Sequence, residues 1–201
     1  MRIEPFEPLT EAERARNLAE TCGDHRDDVW LFAYGSLVWN PGFRPAESRR
    51  ATLWGYRRSF CVWSVLARGS PERPGLGLGL VRSEAASCEG VAMRIVADQV
   101  SQILPKIWLR EMWTDAYRPA WCVLRSDRGE VRALTFVTNT ESRQFAGLLS
   151  EERIARYIAD AHGEKGSNRA YLRETVVGLQ SYGIGCVVLE ALERAILRTD
   201  R

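Results

Sequence analysis

Glu111 is the carboxylate in this sequence whose setting best suits proton transfer. It lies in the run Trp108-Leu109-Arg110-Glu111-Met112-Trp113, at the end of a predicted helix and among tryptophans. Burial among apolar groups raises the pKa of a carboxyl group, which suits a general acid or base that works near neutral pH. The alternative is an ion pair between Arg110 and Glu111 at the helix end. Adjacent helical residues point in different directions, which argues against that pair.

A second candidate lies in Trp30–Trp39, where Tyr34, Gly35 and Ser36 interrupt an apolar, strand-like run. Glycine weakens a strand, and it marks a bulge or a place where another group approaches the backbone closely. A tight turn between two core strands is the other interpretation. Ser36 is not expected to be a nucleophile, because it has no matching histidine and acid and does not lie in a Gly-x-Ser-x-Gly elbow.

Composition limits the class of protein. The chain has 201 residues and 45% hydrophobic content, which suits one domain with a sizeable core. Its 28 basic and 26 acidic residues give a net charge of +2 without a dense basic run, so binding to nucleic acid is not expected. The sequence has no signal-peptide pattern and no apolar stretch of about 18 residues, so we expect a cytoplasmic protein without membrane contact.

Several familiar motifs are absent or incomplete. The five cysteines are widely spaced without a Cys-x-x-Cys pair, which predicts buried reduced thiols and no metal site. His25 and His162 lie in polar segments and are predicted to be surface residues. No cofactor is expected, since the glycines of Gly75–Gly79 lack dinucleotide-motif spacing and Gly163–Gly166 lacks the P-loop pattern. In Gly75–Gly79 the bare face of a strand either lines a cavity or lets a neighbouring element pack closely.

The elements that must position these residues follow from periodicity and turn signals. Residues 1–28 form an arm that contains a helix from a Thr10–Glu13 capping box to about Thr21. Residues 29–201 form a single domain with predicted strands at 29–34, 52–66, 76–81, 88–95, 119–125 and 131–138, and helices at 97–113, 150–161, 167–181 and 185–198. This order predicts an α+β fold with an antiparallel, barrel-like sheet and flanking helices.

An ordered set of motifs resembles the ChaC-like γ-glutamylcyclotransferases, enzymes that cleave glutathione. The set spans about residues 30 to 173 in matching order and spacing, which makes it far more specific than any one motif. Its members are Phe32 to Trp39, Gly55 to Phe60, Arg68-Gly69, Cys88 to Ala92, Leu109 to Glu111, and Gly163-x-x-Gly166-x-Asn168-x-x-Tyr171-Leu172.

The resemblance implies a small mixed or antiparallel β-barrel with a cavity at its mouth, and it implies roles for named residues. Glu111 matches the catalytic glutamate of the family. The residues expected to bind the substrate glutathione are Leu31, Phe32, Ala33, Tyr34, Gly35, Ser36, Leu37, Arg58, Tyr117 and Tyr171. The segment from Met112 to Ala116 departs from some relatives, which have a shorter link before the tyrosine that Tyr117 matches.

The chemistry of a γ-glutamyl amide explains why such residues are needed. The α-amine of the substrate attacks its own γ-carbonyl carbon, closes the lactam 5-oxoproline and expels the second product, so the enzyme supplies a base, an acid and a shaped pocket. Two alternatives stay open. Other γ-glutamyl peptides or amines are possible substrates, and a non-catalytic binding module on the same barrel is possible too.

Further residues have two interpretations each. Arg57, Arg58 and Arg68 either bind the carboxylates of glutathione or are structural. Asn168 is expected to cap the helix that carries Tyr171. The core or the cavity wall is expected to contain Trp39, Trp54 and Trp63.

Overall fold

A closed five-stranded barrel forms the centre of the molecule in the computed structural model, which describes residues 2–23 and 27–198. The strands run in the spatial order β1-β3-β2-β4-β5. Neighbouring strands pair antiparallel, except that β1 and β5 close the barrel with a short parallel ladder. The strands are β1 (Val29–Ala33), β2 (Glu47–Ser64), β3 (Gly75–Ile95), β4 (Tyr117–Ser126) and β5 (Gly129–Thr138). The prediction of an α+β fold with a mixed barrel is confirmed.

Strand β3 differs from the sequence prediction, which divided it into runs at 76–81 and 88–95. The polar segment between these runs continues the strand. Its two ends, Arg82 and Ser87, pair with Tyr56 and Trp54 of the long strand β2, and the residues between them lie at a bulge in the ladder. Gly55 lies in this bulge with φ +80°, a left-handed conformation that glycine adopts readily. Leu76, Leu78 and Leu80 are buried in the barrel, as their alternation with glycine predicts.

Among the described residues, six helices pack around the barrel, and a hairpin of two two-residue strands precedes the fifth helix. The helices are α1 (Glu11–Cys22), α2 (Ser36–Trp39), α3 (Ala97–Glu111), α4 (Glu151–Asp160), α5 (Asn168–Gln180) and α6 (Val187–Arg198), and the hairpin joins β6 (His162–Gly163) to β7 (Gly166–Ser167). Helix α1 begins with the predicted capping box, in which Thr10 and Glu13 satisfy each other's backbone N–H groups. The short helix α2 was not predicted.

The expected capping role of Asn168 is wrong. Ser167 caps α5 by accepting a hydrogen bond from the Ala170 N–H at 3.1 Å. Asn168 is fully buried, and its carboxamide instead forms two hydrogen bonds with the backbone of Leu76, at 2.6 and 2.9 Å. The side chain therefore joins α5 to the barrel strand β3.

Other expectations have mixed outcomes. Trp39 and Trp63 border the cleft described below, whereas Trp54 is exposed on the outer surface of the barrel, so its predicted place in the core or cavity wall is wrong. None of the five cysteines, all of which lie among the described residues, forms a disulfide bond, and Cys22, Cys61 and Cys88 are buried. His162 is exposed as predicted, while His25 lies outside the described residues. Within the described ranges, no helix is long and apolar enough to cross a membrane.

Candidate active site

Glu111 is the last residue of α3, where its side chain reaches the mouth of the barrel. The side chain is only 15% exposed, and its Oε1 lies 3.2 Å from Nε of Arg110. Burial raises the pKa of Glu111, while the positive charges of Arg110 and Lys165 act to lower it. The carboxyl group is therefore held at a higher pKa than a solvated glutamate, as its tryptophan-rich setting predicts.

The Arg110–Glu111 pair corrects the expectation that adjacent helical residues do not pair. The helix ends at Glu111, so the two neighbours at its terminus can both turn toward the same cleft. Arg110 also donates a hydrogen bond to Ser36 Oγ at 2.6 Å and another to the carbonyl of Asn40. The arginine therefore joins the catalytic candidate to the segment that follows β1.

The segment Tyr34–Leu37 leaves the end of β1 and forms one wall of the site. A Cβ at position 35 would lie 3.3 Å from the hydroxyl oxygen of Tyr171. Because Gly35 has no side chain, the Tyr171 hydroxyl can lie close to the backbone of this segment. On the other side, Arg58 donates from Nε to the Tyr34 carbonyl at 2.7 Å and from its second terminal nitrogen to the Glu89 carbonyl. Two guanidinium groups thus hold this segment in place.

An inner pocket of about 30 Å³ lies between this segment and the barrel. Tyr34 donates its hydroxyl proton to the carbonyl of Phe136 at 2.8 Å, and Tyr117 donates to the carbonyl of Leu78 at 2.7 Å. Tyr171 instead receives a hydrogen bond from the Leu78 backbone. The complete lining is Tyr34, Gly35, Ser36, Leu37, Leu78, Glu111, Tyr117, Phe136 and Tyr171.

The three tyrosines stay neutral at physiological pH. Burial raises the pKa of Tyr171 to about 12 and raises the pKa values of Tyr34 and Tyr117 well above the usual value for tyrosine. Because Tyr34 and Tyr117 each give their one proton to a carbonyl, they have lone pairs left to accept hydrogen bonds. Tyr171 keeps its proton and can donate it to a bound group.

An outer cleft of about 350 Å³ continues from the inner pocket. Four residues line both spaces, namely Ser36, Glu111, Tyr117 and Tyr171, so the Glu111 carboxyl lies at their junction. The cleft is also bordered by three cationic side chains, Arg68, Arg110 and Lys165. Arg68 lies 3.5 Å from a carboxylate oxygen of Glu174, whereas no carboxylate of the described residues lies within 4.0 Å of the Lys165 ammonium.

Residues 29–198 match the model of the family described as "ChaC-like protein". The chain belongs to the ChaC-like protein family. The glutathione-specific γ-glutamylcyclotransferase of Escherichia coli K12 is 38% identical over 163 residues, which are 80% of this chain and 70% of that protein. Human glutathione-specific γ-glutamylcyclotransferase 1 is 31% identical over 147 residues, covering 72% of this chain and 66% of the relative.

The fold is also that of a solved relative. A yeast γ-glutamylcyclotransferase specific to glutathione superposes with a TM-score of 0.76 at 20% identity, covering 86% of this chain and 96% of the other. The arm before residue 29 lies outside the match to the ChaC-like family model.

The structure brings together most of the site residues named from the family resemblance. Glu111, Tyr117, Tyr171 and the segment Tyr34–Leu37 all line the inner pocket. Four other residues do not line it. Leu31, Phe32 and Ala33 are fully buried in β1 beneath the site, and Arg58 contacts the backbone behind Tyr34. The expected direct contact of these four residues with substrate does not follow from this geometry, because each lies behind the pocket wall.

Sequence reasoning missed four residues of the site. Leu78 and Phe136 contribute backbone carbonyls, which carry no signal in a residue type. Arg110 was considered only as the partner of a surface pair. Lys165 was considered only as part of an incomplete phosphate-binding motif, although it is one of just two lysines in the chain.

Proposed function

We propose that this protein is a γ-glutamylcyclotransferase that converts glutathione to 5-oxoproline and cysteinylglycine, with Glu111 as the general acid and base. The observation that carries the proposal is the position of the Glu111 carboxyl, which lies at the junction of the inner pocket and the outer cleft with a raised pKa. The names of the Escherichia coli and human relatives support glutathione as the substrate.

The proton transfers need one group that acts twice. Glu111, as the carboxylate, takes a proton from the α-ammonium of the substrate, and the neutral amine attacks the γ-carbonyl carbon. The new C–N bond closes the five-membered lactam while the bond to the cysteine nitrogen breaks. The same carboxyl group gives that proton to the leaving nitrogen. The attacking nitrogen releases a second proton as the lactam forms, and this proton also passes to the leaving nitrogen, so that 5-oxoproline keeps one N–H and cysteinylglycine departs with an ammonium group. A pKa raised toward neutrality suits both steps, because the group must gain and lose a proton within one cycle.

The inner pocket together with the adjoining part of the outer cleft suits the γ-glutamyl half, since the inner pocket of about 30 Å³ is too small to hold this group alone. Its ammonium has N–H donors, and the lone pairs of Tyr34 and Tyr117 are acceptors beside the Glu111 carboxylate. The hydroxyl of Tyr171 and the backbone amides around Gly35 are donors for the α-carboxylate or for the oxygen of the tetrahedral intermediate. This division of donors and acceptors favours the curled substrate conformation that cyclisation requires.

The outer cleft suits the leaving half. Cysteinylglycine ends in a carboxylate, and Lys165 is the cation of the cleft that has no carboxylate partner among the described residues. Arg68 is partly neutralised by Glu174, and it also lies over the rings of Trp39 and Tyr171. We therefore assign the glycine carboxylate to Lys165 first and to Arg68 second.

The direct test is release of 5-oxoproline from glutathione by the purified protein. We expect Glu111→Gln to lower kcat by about 100-fold or more, because it removes both proton-transfer steps. Glu130→Gln, which changes an exposed carboxylate on the barrel, should leave kcat unchanged. No product from any γ-glutamyl donor would refute the proposal, and full activity of Glu111→Gln would refute the mechanism. Equal turnover of γ-Glu-Ala and glutathione would favour the alternative of a broader γ-glutamyl substrate range.

A further inference from the structure

The N-terminal arm runs along the leaving-group side of the site. The Ile3 N–H donates to the Pro71 carbonyl at 2.9 Å, and the Leu9 N–H donates to the Trp113 carbonyl at 2.8 Å. These two bonds fix residues 3–9 against the loop before β3 and the residues after α3. The guanidinium of Arg14 also lies 5.8 Å from the ring centre of Trp113. The arm is therefore a built part of the cleft's surroundings, although it lies outside the family match.

A second space of about 490 Å³, here called the arm pocket, lies beneath this arm. Pro5 and Phe6 of the arm form one wall, and Leu66 and Trp113 belong to the other. The arm pocket is continuous with the outer cleft, since residues such as Ser64, Trp113 and Lys165 border both. A group bound in the outer cleft can therefore extend into the arm pocket.

The walls of the arm pocket are mostly apolar, and the charged side chains of Arg110, Glu164 and Lys165 also border it. Leu66 is 50% exposed and Trp113 is 45% exposed, and they face the same space as Phe6. Large apolar side chains that stay exposed beside a cleft are typical of a ligand-binding surface. Lys165, at the shared edge, adds a positive charge for an anionic group of the same ligand.

Glutathione alone does not require this space. It has about 20 non-hydrogen atoms, a size suited to the small end of the ~300–1,000 Å³ range of ligand sites, and the outer cleft with the inner pocket already provides that volume. In the proposed orientation the cysteine of the substrate lies just beyond Glu111, in the outer cleft. A substituent on its sulfur would extend toward the apolar walls, while the glycine carboxylate stays near Lys165.

We propose that the enzyme also cleaves thioether conjugates of glutathione, and that the arm pocket binds the apolar substituent on their cysteine sulfur. This inference rests on the proposed function. The reaction is unchanged in its balance. The α-amine nitrogen bonds to the γ-carbonyl carbon, and the bond from that carbon to the cysteine nitrogen breaks. Two of the three ammonium protons pass to the leaving nitrogen, which departs as an ammonium group, and the third stays on the lactam nitrogen. The C–S bond is not touched, and the products are 5-oxoproline and an S-substituted cysteinylglycine.

S-benzylglutathione is the probe, compared with glutathione in the same 5-oxoproline assay. We expect the wild-type protein to cleave S-benzylglutathione with a kcat/KM at least equal to that for glutathione. In Leu66→Ala and Phe6→Ala, the ratio of kcat/KM for S-benzylglutathione to that for glutathione should fall about fivefold or more, because an apolar contact with the benzyl group is lost. Leu148→Ala is the matched control, since Leu148 is 52% exposed and lies away from both spaces, and it should leave this ratio unchanged.

Binding separates a failure of this inference from a failure of the proposed function. Calorimetric titration of Glu111→Gln with each compound measures Kd without turnover. We expect S-benzylglutathione to bind at least as tightly as glutathione, and Leu66→Ala in this background to weaken only S-benzylglutathione. Glutathione turnover together with tenfold weaker binding of the thioether would overturn the arm-pocket inference alone. Tight thioether binding without any 5-oxoproline would overturn the proposed function and leave the arm pocket standing.

Discussion

Replacing Arg110 by glutamine should move the acidic limb of the pH–rate profile upward by about one pH unit. Burial already raises the pKa of Glu111, and the positive charge of Arg110 opposes that rise. When the charge is removed, the pKa of Glu111 rises further. Since the carboxylate form is the base, activity is present above this pKa and is lost as the pH falls through it. As the pH falls, the Arg110→Gln variant should therefore begin to lose activity at a higher pH than the wild type.

The magnitude follows from the geometry of the ion pair. Nε of Arg110 and Oε1 of Glu111 are 3.2 Å apart. Two unit charges at that separation interact by about 1.3 kcal/mol even in water, and one pH unit corresponds to about 1.36 kcal/mol. The side chains are 25% and 15% exposed, so the effective dielectric is below that of water, but the same burial costs Arg110 part of its solvation. We therefore expect the acidic limb to move by about one pH unit.

The assay is kcat/KM for glutathione measured between about pH 4.5 and 8, because this quantity reports the ionisation of the free enzyme. Arg118→Gln is the matched control, since Arg118 pairs with Glu141 on the exposed surface of the barrel, and its profile should overlap that of the wild type. Loss of the hydrogen bond from Arg110 to Ser36 lowers the plateau without moving the limb. A variant with a measurable plateau and an unmoved limb would refute the assignment of Glu111 as the titrating base.

Three further outcomes are expected. Glu111→Gln should raise the free energy of unfolding at pH 7 by on the order of 1 kcal/mol, because the raised pKa means that the folded state disfavours the carboxylate. Denaturant titration measures this gain. The gain should vanish at acidic pH, where Glu111 is protonated in both states. Lys165→Gln should raise KM for glutathione several-fold with kcat nearly unchanged, as initial-rate kinetics would reveal. Asn168→Ala should cost about 2–4 kcal/mol of stability, because it leaves the buried N–H and C=O of Leu76 without partners, and thermal unfolding checks this.

Local sequence signals were sufficient for much of the fold. The Thr10–Glu13 capping box starts α1 because its two hydrogen bonds join residues only three positions apart. The apolar spacing of α3 and the turn before β5 are local for the same reason. Strand limits were less predictable, as in β3, where a polar stretch continues the strand because the pairs on both sides of it, Tyr56–Arg82 and Trp54–Ser87, join the same long strand β2.

The site was predictable in its side chains and not in its backbone contacts. Motif order identified Glu111 and the tyrosines, but the hydrogen bond from Tyr34 reaches a carbonyl 102 positions away. Such a partner depends on barrel closure, which no local pattern encodes. Lys165 lies in a hairpin of the C-terminal third, and it reaches the cleft only because the backbone N–H groups of Glu164 and Lys165 bond to the carbonyls of Leu66 and Ala67.

The alternating segment Gly75–Leu80 left two interpretations open, and both apply to different glycines. A Cβ on Gly79 would lie 2.0 Å from Thr138 Oγ1, and one on Gly75 would lie 2.6 Å from Asn168 Oδ1, so these positions are bare because neighbours pack against them. Gly77 borders the outer cleft, where a Cβ would lie 3.5 Å from the Tyr117 hydroxyl.

Leu78 lies between Gly77 and Gly79, and two tyrosine hydroxyls reach its backbone. The backbone of Leu78 serves two tyrosines, since its carbonyl accepts from Tyr117 and its amide side hydrogen-bonds to Tyr171. Leu78 therefore makes Tyr117 an acceptor and Tyr171 a donor toward a bound group, as Phe136 makes Tyr34 an acceptor, while the Leu78 side chain fills the barrel. A larger residue at Gly77 would place a side chain against the Tyr117 hydroxyl. The alternation thus builds the core on one face and fixes the hydrogen-bonding sense of the site on the other.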